Sequence, residues 1–275
     1  MREKRKIGLV WLFALMMALA LSACGSASNA GNSANANGEE TSGPVVQLTI
    51  SAAASLTDAL EEIKGIYESQ HTNVKLLFNF GASGALQTQI EEGAPADLFL
   101  SASPKNMKAL VDGGFIEPDK QMNLLGNELV VVVPADSKLT LSTLQDLQKP
   151  DVKRIAIGIP ESVPAGNYAK EALTKETLWD ALQPVLVQAK DVRQVLSYVE
   201  TGNVDAGFVY RTDALSSTDS KVAFAVAPGS YAPIQYPAGI VKATEHPEEA
   251  AGFYDFLQSK EALDVFVKYG FSVPE

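Results

Sequence analysis

The sequence is poor in the residues that most often carry chemistry. Its 275 residues include one cysteine, Cys24, and two histidines, His71 and His246. A single cysteine excludes an intramolecular disulfide. No spacing of Cys, His, Asp and Glu matches a zinc site or an EF-hand loop, and neither GxGxxG nor a P-loop occurs. Internal repeats and a helix-turn-helix segment are also missing. Positive charge is scarce: 22 Lys and Arg against 33 Asp and Glu leave a net charge of −11. Such a chain is not drawn to nucleic acid or to anionic membrane surfaces. If it binds an anion, it needs local dipoles such as helix N-termini, because its overall field is repulsive.

The first residues stand apart from the rest. Arg2, Lys4, Arg5 and Lys6 precede an uncharged apolar stretch over residues 7–21, too short for a comfortable membrane span. Leu21-Ser22-Ala23-Cys24 follows and resembles the lipobox of bacterial lipoproteins, in which the cysteine becomes the lipidated first residue. Residues 1–23 are therefore expected to be a secretory signal peptide and Cys24 a lipidation site. The lipid would anchor the protein at the outer face of the cell membrane without spanning it. Removing residues 1–23, with four basic residues and one acidic, takes the net charge from −11 to −14. Residues 24–44 have no periodicity and little apolar content beyond alanine, so they read as a flexible tether of typical span roughly 25 Å.

The folded part is organised around residues 78–102, FNFGASGALQTQIEEGAPADLFLSA. This reads as strand, glycine-rich turn, helix, turn, strand. Ser83 falls at the helix start, where free N–H groups and the positive dipole end suit an anion. Before it, residues 45–51 alternate like a strand and a helix begins near Ser55. After it, a helix starts at Pro104 and ends at Gly113-Gly114. This βα alternation predicts a parallel sheet with right-handed crossovers. Residues 128–134 form a nearly continuous apolar strand, and a second series follows. Its strands are 154–159, 185–189, 205–210 and 221–227, with helices from Ala165 and from Asp191. A long apolar strand at 234–242 and two C-terminal helices complete the chain. Two such series predict two lobes, with a ligand in the cleft at the strand ends.

Several residues could serve that cleft. Ser55 and Ser83 each follow a strand at a helix start, where plain N-capping is the alternative role. The turn 160–168 has prolines at 160 and 164 and a glycine at 166, which leaves the N–H groups around Ala165 accessible. Val192, after Asp191, could offer only its backbone N–H. Tyr210 ends a strand and could present its hydroxyl. Arg193 and Arg211 are the obvious counter-charges for an anion, yet they read as structural or rim residues.

AAASLTDAL, FGASGALQTQIEEGAPADLFLSA, LLGNELVVVVP, GIPESVPAGNYAKEAL, AKDVRQVLSYVE, GFVYRTDA and VKYGF occur in this order. Together, over residues 46–273, they resemble the molybdate-binding component of bacterial molybdate ABC transporters. The resemblance implies the α/β type II periplasmic-binding-protein fold, with residues 45–127 plus 235–275 as one lobe and 128–234 as the other. The crossover strands would be 128–134 and 234–242. It implies a buried tetrahedral oxyanion, molybdate or tungstate, held by neutral donors: Ser55 and Ser83 through hydroxyl and backbone, Ala165 and Val192 through backbone N–H, Tyr210 through its hydroxyl. Gly84 stands where some relatives carry a run of hydroxyl residues. The implied protein is a monomeric extracytoplasmic binding protein without cofactor or directly coordinated metal, serving ABC permease subunits. A donor-rich site without a carboxylate acceptor suits a fully deprotonated dianion, because a hydrogen phosphate would bury an unsatisfied donor. Sulfate passes the same test and remains an alternative ligand.

An enzyme reading competes. Gly81-Ala82-Ser83-Gly84-Ala85 nearly matches the GxSxG elbow of serine hydrolases, and Ser83, Asp205 or Asp213, and His246 follow in a triad order. Against it, His246 precedes Pro247 at the start of an acidic, surface-like helix.

Overall fold

The computed structural model describes residues 45–274. The expected signal peptide and the whole tether, Cys24 included, lie outside the described residues. The first half of the chain runs β1 (Val46–Ala53), a 3₁₀ turn (Ala54–Leu56), α1 (Thr57–Gln70), β2 (Val74–Gly81), α2 (Ser83–Glu91), β3 (Leu98–Leu100), α3 (Pro104–Asp112), β4 (Ile116–Asn127) and β5 (Leu129–Pro134). After a 3₁₀ turn (Leu144–Gln148) come β6 (Ile155–Gly158), α4 (Pro164–Lys175), α5 (Trp179–Leu182), β7 (Leu186–Ala189), α6 (Val192–Glu200), β8 (Ala206–Tyr210), α7 (Arg211–Leu215) and β9 (Ser220–Ala225). The chain ends with β10 (Ile234–Val241), α8 (Pro247–Phe256) and α9 (Lys260–Lys268).

The strands form two five-stranded sheets, ordered β2-β1-β3-β10-β4 and β7-β6-β8-β5-β9. The expected parallel pairing holds for β1 with β2 and β3, and for β6 with β7 and β8. It fails for β10, antiparallel to β3 and β4, and for β5, antiparallel to β8 and β9. The reason is the path of the chain. It leaves the first sheet at Glu128, between β4 and β5, and returns through residues 226–233 into β10, so each transferred strand runs against its new neighbours. A second departure is β4, a strand over residues that carry no strand periodicity in the sequence.

Local chemistry explains the elements beside the cleft. Val130 to Val133 are all buried, as expected for a strand with neighbours on both sides and cover on both faces. In α6 the Asp191 side chain accepts from the Gln194 N–H at 2.8 Å, capping the helix. Val192, Val195, Leu196 and Val199 then recur on one buried face. Each such side chain contributes about 1.5–3 kcal/mol of burial before ordering costs. Val195→Asp would place an unpaired carboxylate on that face and break the packing. In α4, Pro164 occupies the first turn, where its missing N–H costs nothing. A Cβ on Gly166 would lie 2.0 Å from the Gly158 carbonyl oxygen, so only glycine lets α4 pack this close to the end of β6. Among the described residues no helix is long and apolar enough to cross a membrane.

Candidate functional site

The ends of β1, β2 and β8 meet the starts of α2, α4 and α6 at one place. There Ser55, Ser83, Ala165, Val192 and Tyr210 line one cavity, with Ala53, Ala54, Gly81, Ala82, Ala102, Val163 and Pro164. The cavity is small, about 10 Å³, the room of roughly one water-sized group. All five sequence-selected residues are brought together, and each is at most 4% exposed. Neither Arg193 nor Arg211 lines the cavity, and among the described residues no acidic side chain does.

The backbone donors follow from helix geometry. Ser83 opens α2, Ala165 lies in the first turn of α4 and Val192 opens α6. N–H groups in a first turn have no partner inside their helix. Among the described residues, no backbone acceptor takes the N–H of Ser55, Ser83, Ala165 or Val192. The positive ends of α2, α4 and α6 add to the same point.

The hydroxyls are arranged as donors too. Neither serine caps a helix: Ala82 holds the N-cap position of α2 without a side-chain bond, and Ser55 sits inside the 3₁₀ turn. Ser83 Oγ instead accepts from the Ala102 N–H at 2.9 Å, which leaves its own proton for the cavity. Ser55 Oγ lies 2.8 Å from Tyr236 Oη. Among the described residues, Tyr210 Oη is buried and meets no partner at hydrogen-bond distance, with the Tyr236 hydroxyl as its nearest polar neighbour. Burial, reinforced by the neighbouring Tyr236, pushes the Tyr210 pKa well above its ordinary value, so this hydroxyl stays protonated. An orphaned buried donor costs about 1–3 kcal/mol unless a guest supplies an acceptor.

The two arginines hold structure. Arg193 Nε lies 2.9 Å from Asp213 Oδ1, and Asp213 Oδ2 accepts the Tyr210 N–H at 3.2 Å. Burial works against the Arg193 charge, but Asp213 and Asp58 outweigh it and hold its pKa above the ordinary value. Arg211 pairs with Glu128 at 3.1 Å on the surface, beside the chain crossing. Tyr236 and Asn127 were not singled out in the sequence. Tyr236 is one position of the apolar strand β10, and Asn127 ends β4, which carries no periodic signal.

The hydrolase arrangement is not formed. His246 sits at the start of α8, where its backbone N–H donates to Thr244 Oγ1. Asp205 accepts the N–H groups of Lys153 and Arg154, and Asp213 is committed to Arg193. Among the described residues Ser83 therefore has no base.

Two α/β lobes joined by two chain crossings, closed over a cavity lined by helix starts, define a solute-binding protein of the type II periplasmic class. The chain belongs to the bacterial extracellular solute-binding protein family, whose model matches residues 48–272. It is 53% identical over 227 residues to a putative ABC transporter substrate-binding lipoprotein, YvgL, of Bacillus subtilis (strain 168), covering 82% of this chain and 86% of that one. It is 39% identical over 236 residues to the molybdate-binding protein ModA of Escherichia coli (strain K12), covering 82% and 89%. Among solved structures, the periplasmic molybdate-binding protein of Azotobacter vinelandii superposes with a TM-score of 0.76 at 26% identity, covering 83% of this chain and all of the other.

Proposed function

We propose that this chain captures molybdate in the cavity between its lobes and delivers it to the permease subunits of an ABC transporter. The observation that carries the reading is the buried, unpartnered Tyr210 hydroxyl in a cavity that offers donors and no acidic acceptor. Such a site suits a compact, fully deprotonated dianion. The similarity to proteins named for molybdate binding supports molybdate over sulfate. Tungstate, with the same charge and shape, binds the same donors: Ser55, Ser83, Ala165, Val192 and Tyr210. No cofactor is needed, since binding and release are the whole cycle.

The lobes are residues 45–127 with 235–275, and residues 128–234; they close by rotation at the two chain crossings. Each chain carries both halves of its site, so a monomer suffices. Cys24 carries the lipid that holds the protein at the outer membrane face. Cys24→Ala should leave the membrane fraction without a change in molybdate affinity, and continued detergent-sensitive sedimentation would refute the anchor.

Calorimetry of the mature domain with molybdate, tungstate, sulfate and hydrogen phosphate tests the function. Molybdate and tungstate should bind far more tightly, and should raise the melting point by mass action. Equal stabilisation by sulfate would overturn the specificity.

A further inference from the structure

We infer that Tyr236 and Asn127 are specificity-determining positioning residues, which fix the direction of the Ser55 hydroxyl proton and so make the cavity donor-only. The inference rests on the oxyanion reading above. It starts at the chain crossing. The Glu128 N–H donates to Asn127 Oδ1 at 2.9 Å. A backbone N–H can only donate, so the oxygen of the Asn127 amide must face it. The amide nitrogen then points the other way, 3.0 Å from Thr212 Oγ1 and 3.3 Å from Tyr236 Oη.

Tyr236 Oη therefore receives a proton from Asn127. Its own proton goes to its remaining partner, Ser55 Oγ, at 2.8 Å. Tyr236 is buried, and burial lifts its pKa far above the ordinary value, so the proton is not lost. Ser55 Oγ accepts that proton, and the serine's own proton is left for the cavity. The chain of polarity runs from the Glu128 N–H through Asn127, Tyr236 and Ser55 to the guest. Ser83 is set the same way in one step by the Ala102 N–H.

The consequence is selectivity. A Ser55 held this way keeps its proton toward the cavity and one lone pair on Tyr236, so it is a poorer acceptor for a P–OH group. Without Tyr236 its hydroxyl rotates freely and can accept from a protonated oxyanion. Tyr236→Phe keeps the ring packed against Tyr210 and Phe271, at centroid distances of 5.8 and 5.3 Å.

The test is competition calorimetry at pH 8 with molybdate and hydrogen phosphate. Both are dianions there, so general charge effects cancel in their affinity ratio. Tyr236→Phe should weaken molybdate about tenfold, as for loss of one aligned donor to a charged guest. Hydrogen phosphate should hold or gain, so the ratio narrows by at least about tenfold. In a Ser55→Ala background the same change should leave the ratio where Ser55→Ala alone puts it, because the effect passes through Ser55. A merely structural role would weaken both anions alike and add to Ser55→Ala, and either result would overturn the inference. If Tyr236→Phe does not fold, Asn127→Asp carries the test. A carboxylate cannot donate, takes the Tyr236 proton and turns Ser55 away from the guest, again narrowing the ratio; an unchanged ratio rejects the mechanism. Failure of the parent protein to bind molybdate at all would instead refute the oxyanion reading itself.

Discussion

Arg193 and Asp58 meet across the cleft: Nη2 of Arg193, on α6, lies 2.5 Å from Oδ2 of Asp58, on α1. The two helices belong to opposite sheets, so the pair exists only while the lobes are together. Both side chains are partly exposed, which limits the pair to about 1 kcal/mol. Asp58→Asn should therefore weaken molybdate by less than about fivefold. Tyr210→Phe removes a donor to the anion and should cost about 1.5–3 kcal/mol, ten- to hundredfold. Titrations that reverse this order would contradict the neutral-donor site. Arg193→Ala is a different experiment. It strips the counter-charge from fully buried Asp213 and should lower ligand-free stability by about 3–5 kcal/mol.

Asp213 gives the protein a pH signature. Burial pushes its carboxyl from 3.8 up to about 6, against the pull of Arg193. The folded state therefore holds this proton more tightly than the unfolded state. Its contribution to stability is full below the unfolded pKa and is lost as pH rises through about 6. The interval corresponds to at most about 3 kcal/mol. Denaturant unfolding of the parent and Asp213→Asn between pH 4 and 7 should show the parent losing ground to the variant as pH rises. A parent-minus-variant difference that stays flat would refute the assignment.

Gly84 and Ser162 bring the lobes into backbone contact. The Gly84 N–H donates to the Ser162 carbonyl at 2.9 Å. A Cβ on Gly84 would lie 2.7 Å from that oxygen and 2.8 Å from Ser162 Cα. Gly84→Ala should obstruct closure and leave each lobe intact. Molybdate affinity should fall about tenfold, as overpacking costs about 1–3 kcal/mol, with little change in the ligand-free melting point. Unchanged binding would show that this contact does not limit closure.

Val192 separates backbone from side-chain recognition. Asp191 has φ −156° and ψ 172°, an extended conformation that a following proline favours. Val192→Pro should therefore fold and lose about 1.5–3 kcal/mol of binding with its N–H, while Val192→Ala binds like the parent. A proline variant that melts normally and binds molybdate fully would remove Val192 from the site.

How much of this was legible in the sequence depends on where each signal lies. The site residues sit where a strand gives way to a helix, and Gly81-Ala82-Ser83-Gly84 or Pro164-Ala165-Gly166 marks that change within a few residues. The strand β4 has no such mark. Half of Ile116 to Asn127 is exposed, with Pro118 and Gly126 inside it, because it forms the edge of its sheet beside β10. Edge strands need little apolar content, so periodicity is silent there. Tyr236 was invisible for another reason. Its contact with Ser55 joins positions 181 residues apart, and only the return of β10 into the first sheet creates it.

Anomalous diffraction at the molybdenum edge from crystals grown with molybdate tests the central claim most directly. The account predicts one strong molybdenum peak in the cavity. Its oxygens should lie within hydrogen-bond distance of the Ser55, Ser83 and Tyr210 hydroxyls and of the Ala165 and Val192 N–H groups. A peak elsewhere, or a cavity that stays free of molybdenum at saturating ligand, would contradict it.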